Sequence, residues 1–244
     1  MNRTLAIYLI RRKIKGLFVY LCQNSLFPGR KDDYTKVIIL SRSRTGSNML
    51  KSLLNSHPNI YLYGEVFRSL KFKDPQEIYD SVFSAKPFFI KVSGFKIFYY
   101  HPEDSNFELT WKRLFNDRNV KVIHLKRKNL LRTLVSRKLA EKNNEWKQNS
   151  IARQNLIKQL ALDKTECKAF FERTKNWEKQ FDEFFKNHQK IDIFYEDLVD
   201  PDHEQVLADL QSFLGVKEKQ LKTNLVKQNP EKLSELIINY NELK

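Results

Sequence analysis

A strand, a turn of small residues and a helix follow one another directly in residues 36–54 (KVIILSRSRTGSNMLKSLL). Residues 37–40 are a short apolar run rich in β-branched side chains, which is typical of a buried strand in a parallel sheet. Residues 41–47 contain only Ser, Arg, Thr and Gly, and apolar residues at helical spacing follow from Asn48. This order predicts an α/β fold in which the turn connects a buried strand to a helix.

The turn itself is a predicted anion site. A helix that starts directly after a strand presents unpaired backbone N–H groups, and the helix dipole adds positive potential there. The hydroxyls of Ser43, Thr45 and Ser47 and the guanidinium groups of Arg42 and Arg44 would add further donors. The alternative interpretation is an ordinary βα turn with basic residues at the surface.

The turn differs from the phosphate loop of nucleotide kinases and other P-loop NTPases. Their GxxxxGK[ST] pattern requires an early Gly and a Lys after the second Gly, and here Ser41 and Ser47 occupy those positions. A metal-holding Asp after a later strand is not evident either. A P-loop kinase or NTPase is therefore an alternative that the sequence does not favour.

A second strand, basic turn and helix occur in residues 120–142. Residues 120–125 are predicted as a parallel strand, and residues 130–142 as a helix with Asn129 as its cap. Residues 121–142 contain eight Lys or Arg against one Asp or Glu, so this turn is a second candidate anion site. Arg127, at its start, can donate two bonds to a phosphate.

The composition agrees with a binder of anions. The 244 residues fit one domain, and the net charge of +15 calls for an acidic partner such as a nucleotide, an anionic membrane or nucleic acid. A nucleic-acid-binding protein is the less favoured alternative, because the basic residues cluster at two turns and not along one helix or sheet face. Cys22 and Cys167 match no metal or redox spacing, and we expect a cytoplasmic protein.

Residues 1–34 are interpreted as a basic N-terminal helical segment ahead of a single domain, residues 35–244. Residues 1–36 contain eight Lys or Arg against two Asp or Glu, without the pattern of a signal peptide or a membrane span. Two interpretations stay open. The segment is either an amphipathic helix lying on an anionic bilayer, which would make the protein peripheral at the membrane, or a helix packed on the domain.

The first turn and its surroundings, residues 41–65 (SRSRTGSNMLKSLLNSHPNIYLYGE), resemble the 5′-phosphosulfate loop of sulfotransferases that use 3′-phosphoadenosine 5′-phosphosulfate (PAPS). The form R-[ST]-G-[ST] followed by HPN and GE is similar to the bacterial and carbohydrate branch, including the nodulation-factor type. The segments GFKIFYYH (94–101), RKNLL (127–131) and YEDL (195–198) also resemble this branch. The resemblance implies a three-layer sulfotransferase fold with a mostly parallel central sheet, related to that of P-loop NTPases.

The resemblance implies that PAPS is the donor and that no metal is needed. It assigns the following residues to donor binding: Arg42, Ser43, Arg44, Thr45, Gly46, Ser47 and Asn48 at the first turn, and Arg127 and Ser136, for the 3′-phosphate, at the second. A hydroxyl of a carbohydrate or glycolipid is the implied acceptor. The role of YEDL in the family is mainly structural.

The predicted catalytic residues are Glu65, Lys96 and Arg42. Glu65 would accept the proton of the acceptor hydroxyl, and the basic surroundings would keep it ionised. The alternatives are that Glu65 only forms an ion pair with Arg42, Arg44 or Lys96, and that Lys96 is a surface lysine at a strand end.

Several further predictions concern single residues. His57 and His101 are rival bases, although His57 before Pro58 is better explained as the end of a helix. Lys222 and Lys227 could close over the donor. Asp163 with Glu166 three residues on predicts the start of a helix in the manner of a capping box. Another helix is predicted with Asp200 as cap, Pro201 at its first position and Gly215 beyond its end.

Overall fold

The apolar run of residues 37–40 lies in the middle strand of a five-stranded sheet in the computed structural model, which describes residues 3–27, 29–104, 107–144, 158–225 and 229–243. The strands of this sheet are β2 (Thr35–Ser41), β3 (Ile60–Leu62), β5 (Val92–Phe98), β6 (Val120–Lys126) and β7 (Lys190–Phe194). A separate antiparallel pair consists of β1 (Arg30–Lys31) and β4 (Lys86–Pro87).

The helices are α1 (Arg3–Gln23), α2 (Ser47–Ser56), α3 (Pro75–Val82), α4 (Phe107–Asn116), α5 (Leu130–Lys142), α6 (Lys164–Phe184), α7 (Tyr195–Leu198), α8 (Glu204–Leu214) and α9 (Leu233–Leu236), with a final 3-10 helix (Tyr240–Leu243). None of the helices in the described ranges is both long enough and apolar enough to cross a bilayer.

The five strands are all parallel and run in the order β3–β5–β2–β6–β7. β2 pairs along its length with both neighbours, so that Ser41 lies opposite Phe98 of β5 and Leu125 of β6. Carboxyl ends of parallel strands meet at one edge of a sheet, and ligands of open α/β sheets bind there. The turns after β2, β5 and β6 are therefore neighbours.

Helices cover both faces of the sheet, which confirms the predicted three-layer fold. Ile39 of β2 packs into a core with α2, including Leu53, and with α8. The next residue toward the N-terminus, Ile38, points to the opposite core, which contains Trp111 of α4 and Phe181 of α6. This alternation is the period-two pattern of a strand that is buried on both faces.

Most predicted helix ends agree with the structure, but one is wrong. The side chains of Asn129 and Asp163 accept hydrogen bonds from the first turns of α5 and α6. The helix predicted to begin at Pro201 begins instead at Glu204. The Asp200 carboxylate accepts from the N–H of Asp202 and forms a local turn, which satisfies it outside the helix.

The C-terminal half of α1 packs on the domain through one unusual lysine. Lys15 is buried, and its Nζ donates to the carbonyl oxygens of Asn55 at 2.8 Å, His57 at 3.0 Å and Ile60 at 2.6 Å. These carbonyls belong to the end of α2 and the turn into β3, which would otherwise lack helical partners. Val19 is buried on the same side of α1.

Replacing Lys15 with Met keeps the apolar stem of the side chain but removes its ammonium group, and this loss should destabilise the protein. Three buried carbonyls would lose a charged donor, so we expect a loss of about 1–3 kcal/mol in the free energy of unfolding. Chemical denaturation measures it. Lys13→Met, at an exposed neighbouring position, is the control and should change little. Equal stability of the two variants would show that the Lys15 bonds contribute nothing.

Candidate active site

The turn between β2 and α2 is shaped by left-handed backbone at two positions. Arg44 has φ 68° and Gly46 has φ 89°. The Thr45 hydroxyl donates to the carbonyl oxygen of Arg42 at 2.7 Å, so it closes the turn from inside. No side chain caps α2. The first-turn N–H groups, beginning with Ser47, therefore lie at a helix start suited to an anion.

Gly46 is needed for space as well as for its backbone conformation. A Cβ at Gly46 would lie 2.3 Å from Cδ2 of Tyr195, the first residue of α7. The aromatic ring therefore lies directly on the turn. Arg127 stacks on the same ring, with its Cζ 4.4 Å from the ring centroid. Tyr195 thus connects the two predicted anion sites.

Three predicted donor-binding residues are brought into direct contact. Arg44 Nε donates to Ser136 Oγ at 3.0 Å, across from the β2–α2 turn to α5. Arg127 Nη1 donates to the carbonyl oxygen of Arg44 at 2.8 Å. The two turns that were predicted separately thus form one cluster, here called the anion cluster: Arg44, Arg127 and Ser136.

The anion cluster concentrates positive charge in a partly desolvated position. Burial lowers the pKa of Arg44 to about 10, with a contribution from the nearby Arg127 cation. Burial likewise lowers the pKa of Arg127. Arg127 Nε is buried and makes no hydrogen bond, and its nearest carboxylate, that of Glu196, lies 3.9 Å away. An anion bound here would relieve the repulsion between the two guanidinium groups.

Glu196 is a contributor to the site that the sequence analysis did not assign. Its carboxylate oxygens accept from the backbone N–H groups of Lys128 at 3.0 Å and Asn129 at 3.1 Å. They therefore hold the turn that carries Arg127. Together with Tyr195 this gives YEDL a definite structural task, and the resemblance was the only signal in the sequence that pointed to it.

Arg42 occupies a different environment from Arg44. Its side chain has no exposed surface, its Cζ lies 3.7 Å from the ring centroid of Phe170, and its Nη1 donates to Thr174 Oγ1 at 2.7 Å. Both partners belong to α6. Burial lowers the pKa of Arg42 to about 10. Because a group that contacts a ligand from solvent needs accessible surface, this geometry favours Arg44 over Arg42 for donor contact.

Glu65, which follows β3, and Lys96 of β5 form an ion pair. Lys96 Nζ lies 2.6 Å from Glu65 Oε1, and the side chains are 3% and 22% exposed, so the carboxylate is the member that faces solvent. The N–H of Lys96 donates to the carbonyl oxygen of Gly64 at 3.2 Å, which sets the two residues next to each other. Burial alone would raise the pKa of Glu65, but the Lys96 cation and its hydrogen bond lower it overall.

The two rival histidines are not equivalent. His57 lies at the far end of α2, where its ring nitrogens contact the carbonyl oxygen of Lys217 at 2.9 Å and the N–H of Asn59 at 3.1 Å. His101 is fully buried near Glu65, and burial lowers its pKa to about 4. His57 is thus accounted for by the turn it stabilises, and His101 is neutral at pH 7.

The C-terminal segment approaches the anion cluster at Asn229. Its Nδ2 lies 3.5 Å from Ser136 Oγ, and Arg132 Nη1 donates to the carbonyl oxygens of Asn229 at 3.2 Å and Glu231 at 2.6 Å. Lys222 lies elsewhere, since its N–H donates to Ser56 Oγ at the opposite end of α2 from the turn. Lys227, predicted with it, lies outside the described residues.

One group of metal-ligating residue types occurs in the described part of the chain, and it is an ion-pair network. Ligand atoms of His124, Asp182 and Asp192 lie within 4.8 Å of one another. Lys126 Nζ is 2.7 Å from both carboxylates, and Lys190 Nζ is 2.5 and 2.6 Å from them. The two ammonium groups already neutralise the carboxylates, so the network is explained without a metal ion.

A parallel α/β sheet with a small-residue turn and a helix start after its central strand is shared by many phosphate-binding proteins, and phosphoryl- and sulfuryl-transferring enzymes are among them. Residues 34–242 match the family model described as "Sulfotransferase domain". The chain therefore belongs to the sulfotransferase family and is a sulfotransferase enzyme.

Two known proteins show the likeness in more detail. Nodulation protein H of Rhizobium tropici is 28% identical over 225 residues, which cover 85% of this chain and 87% of that protein. A solved structure, mouse sulfotransferase SULT7A1 complexed with PAP, is 16% identical with a TM-score of 0.43. That match covers 83% of this chain, and this chain spans 64% of the mouse protein.

Replacing Gly46 with Ala should distort the turn. The left-handed φ costs about 1–2 kcal/mol for a residue with a Cβ, and the new methyl group would collide with the Tyr195 ring. We expect a lower melting temperature and weaker binding of PAP, the desulfonated donor. Adding Tyr195→Ala should relieve the collision but not the backbone strain. Gly64→Ala is the control, since open space surrounds that position; a Gly46→Ala protein as stable as this control would contradict the argument.

Proposed function

We propose that this sulfotransferase moves a sulfuryl group from PAPS to a hydroxyl of a carbohydrate or glycolipid. The observation that carries the proposal is the anion cluster, in which Arg44 and Arg127 from two neighbouring turns and Ser136 of α5 are in contact. PAPS carries one phosphate on the 3′ oxygen and another on the 5′ oxygen of its ribose. Two adjoining cationic turns would each bind one of these phosphates. Similarity to Nodulation protein H and to the carbohydrate branch supports the acceptor class.

The first turn is proposed to hold the 5′-phosphosulfate. The N–H groups at the start of α2, including those of Ser47 and Asn48, and the Arg44 guanidinium would stabilise charge that grows on the phosphate oxygen as the S–O bond breaks. Arg127 and Ser136 would bind the 3′-phosphate. The Ser43 and Thr45 side chains are proposed to shape the turn, because both are almost fully buried. Sulfuryl transfer to a hydroxyl is an in-line displacement like phosphoryl transfer, and we propose that it needs no metal.

Glu65 is proposed as the general base and Lys96 as a cation beside the transferring group. Glu65 is the more exposed member of the pair, so its carboxylate can reach an acceptor hydroxyl. Its lowered pKa keeps it ionised at neutral pH, at the cost of basicity. Lys96 is held by Glu65 in the described structure, and a negative charge on the donor would compete for that ammonium. Arg42 is proposed to support the turn through its contacts with α6.

The donor is tested by ligand-induced stabilisation and by transfer. PAP should raise the melting temperature, while ATP with magnesium and duplex DNA should raise it less at the same concentration. Radiolabelled sulfate from PAPS should then appear in a glycan or glycolipid fraction of cell extract. Greater stabilisation by ATP with magnesium, or by DNA, would favour the kinase or nucleic-acid alternative.

Replacing Arg127 should distinguish binding of the 3′-phosphate from binding of the 5′-phosphate. We expect Arg127→Ala to weaken PAP binding by about 1.5–3 kcal/mol, which is about ten- to a hundredfold in Kd. Ser136→Ala should have a smaller effect in the same direction. Adenosine 5′-phosphosulfate lacks the 3′-phosphate and should bind both variants nearly as well as the wild type in calorimetry.

The neighbouring Lys128→Ala is the matched control for Arg127. Lys128 is exposed and paired with Asp197 at 2.7 Å, so its loss should leave PAP affinity near the wild-type value. Equal losses for PAP and adenosine 5′-phosphosulfate in Arg127→Ala would show that Arg127 does not hold the 3′-phosphate.

The role of Glu65 can be read from rate and pH together. Glu65→Gln cannot accept a proton, and we expect kcat to fall by about 10²–10⁴ with PAP affinity retained. Lys96→Met removes the cation that lowers the pKa of Glu65, so that pKa should rise. The acid limb of the kcat/KM profile should therefore move to higher pH in the residual activity of Lys96→Met.

A purely structural Glu65 predicts a different pattern. In that case Glu65→Gln and Lys96→Met would lower the melting temperature and PAP affinity alike, and the acid limb would stay where it is. Near-normal turnover in Glu65→Gln would remove it from the mechanism and leave His101 as the base to test.

A further inference from the structure

The outward face of α1 is apolar, although the inward face already docks on the domain. Ile10, Ile14 and Leu17 are 55%, 48% and 55% exposed. Residues three and four positions apart lie on one side of a helix, so these three side chains form a continuous stripe. Leu26, just past the end of the helix, is 67% exposed. Single exposed apolar side chains are ordinary, but a continuous set indicates a surface that is covered in use.

The stripe continues into an aromatic group at the end of α1. Phe18 packs edge-on against Phe27 at 5.2 Å and Phe89 at 5.9 Å between ring centroids. Phe89 in turn contacts Phe88, which is 64% exposed. These rings extend the apolar surface from the helix onto the β4 side of the domain. The outer face of α1, defined here as Ile10, Ile14, Leu17, Tyr20 and Leu26, therefore adjoins a second apolar group.

The positive charge of α1 and the neighbouring residues favours an anionic partner. The sequence of α1 contains no Asp or Glu, and residues 1–36 contain eight Lys or Arg against two Asp or Glu. Lys13, on this outer side, is exposed. A second copy of the chain would bring two such basic segments together in a protein with a net charge of +15. An anionic bilayer instead offers negative charge to the lysines and arginines and an acyl boundary to the stripe.

We propose that the outer face of α1 binds the surface of an anionic bilayer. The helix lies flat, inserting Ile10, Ile14 and Leu17 at the boundary between head groups and acyl chains. Lys15 and Val19 stay buried against the domain. The contact is reversible, because one short apolar stripe plus screened charge gives moderate affinity. The proposal does not depend on the identity of the donor.

The test is co-sedimentation of the full-length chain with vesicles of phosphatidylcholine, with and without phosphatidylglycerol. We expect binding only to the anionic vesicles, and weaker binding as salt is raised. The double variant Ile14→Ser with Leu17→Ser should lower the partition coefficient by about tenfold or more, because it removes most of the inserted apolar surface. Both side chains are exposed, so the variant should melt like the wild type.

The matched control is Leu109→Ser with Ile238→Ser, which removes two apolar side chains that are 57% and 69% exposed at other places. This control should bind vesicles like the wild type. The proposal is overturned if the wild type does not bind anionic vesicles, if the double variant binds as well as the wild type, or if the control loses as much. A change in molar mass by light scattering without a change in vesicle binding would assign the face to self-association and also overturn it.

Discussion

Two turns that are far apart in the sequence are brought together by a hydrogen bond from Arg127 to the carbonyl oxygen of Arg44. With the bond from Arg44 to Ser136 of α5, it places the helix start after the central strand against the second cationic turn. Tyr195 fills the space between them and Glu196 holds the second turn through two backbone N–H groups. The arrangement concentrates positive charge that only an anion can satisfy fully. Several of its bonds are made to backbone atoms, which ties the charged side chains to the main chain of the two turns.

The fold was predictable because its strongest signals are local. A β-branched run buried on both faces can hardly be other than a strand in a parallel sheet, and the turn and helix after it confirm the order. The caps at Asn129 and Asp163 are equally local. Asp200 shows the limit of such signals, since its carboxylate can accept a backbone hydrogen bond equally well in a turn or at the start of a helix. Three residues of turn separate it from the helix that it was expected to begin.

The site was less predictable because side-chain direction depends on backbone angles that composition does not encode. Arg42 and Arg44 are two residues apart in one basic turn, yet one is buried against α6 and the other reaches Ser136. Arg44 has a left-handed φ, and nothing in the sequence marks it. Lys15 is a similar case. In a basic helix it looks like any other lysine, and only the carbonyls of a distant turn explain why it is buried.

The position of Lys15 fixes where α1 lies relative to the anion cluster. Its ammonium holds the last turn of α2, and the first turn of the same helix borders the anion cluster. Ten helical residues span about 15 Å, so the Lys15 anchor of α1 and the anion cluster lie at opposite ends of α2, about that distance apart. A surface bound by the outer face of α1 would therefore lie about the length of one helix away from the anion cluster.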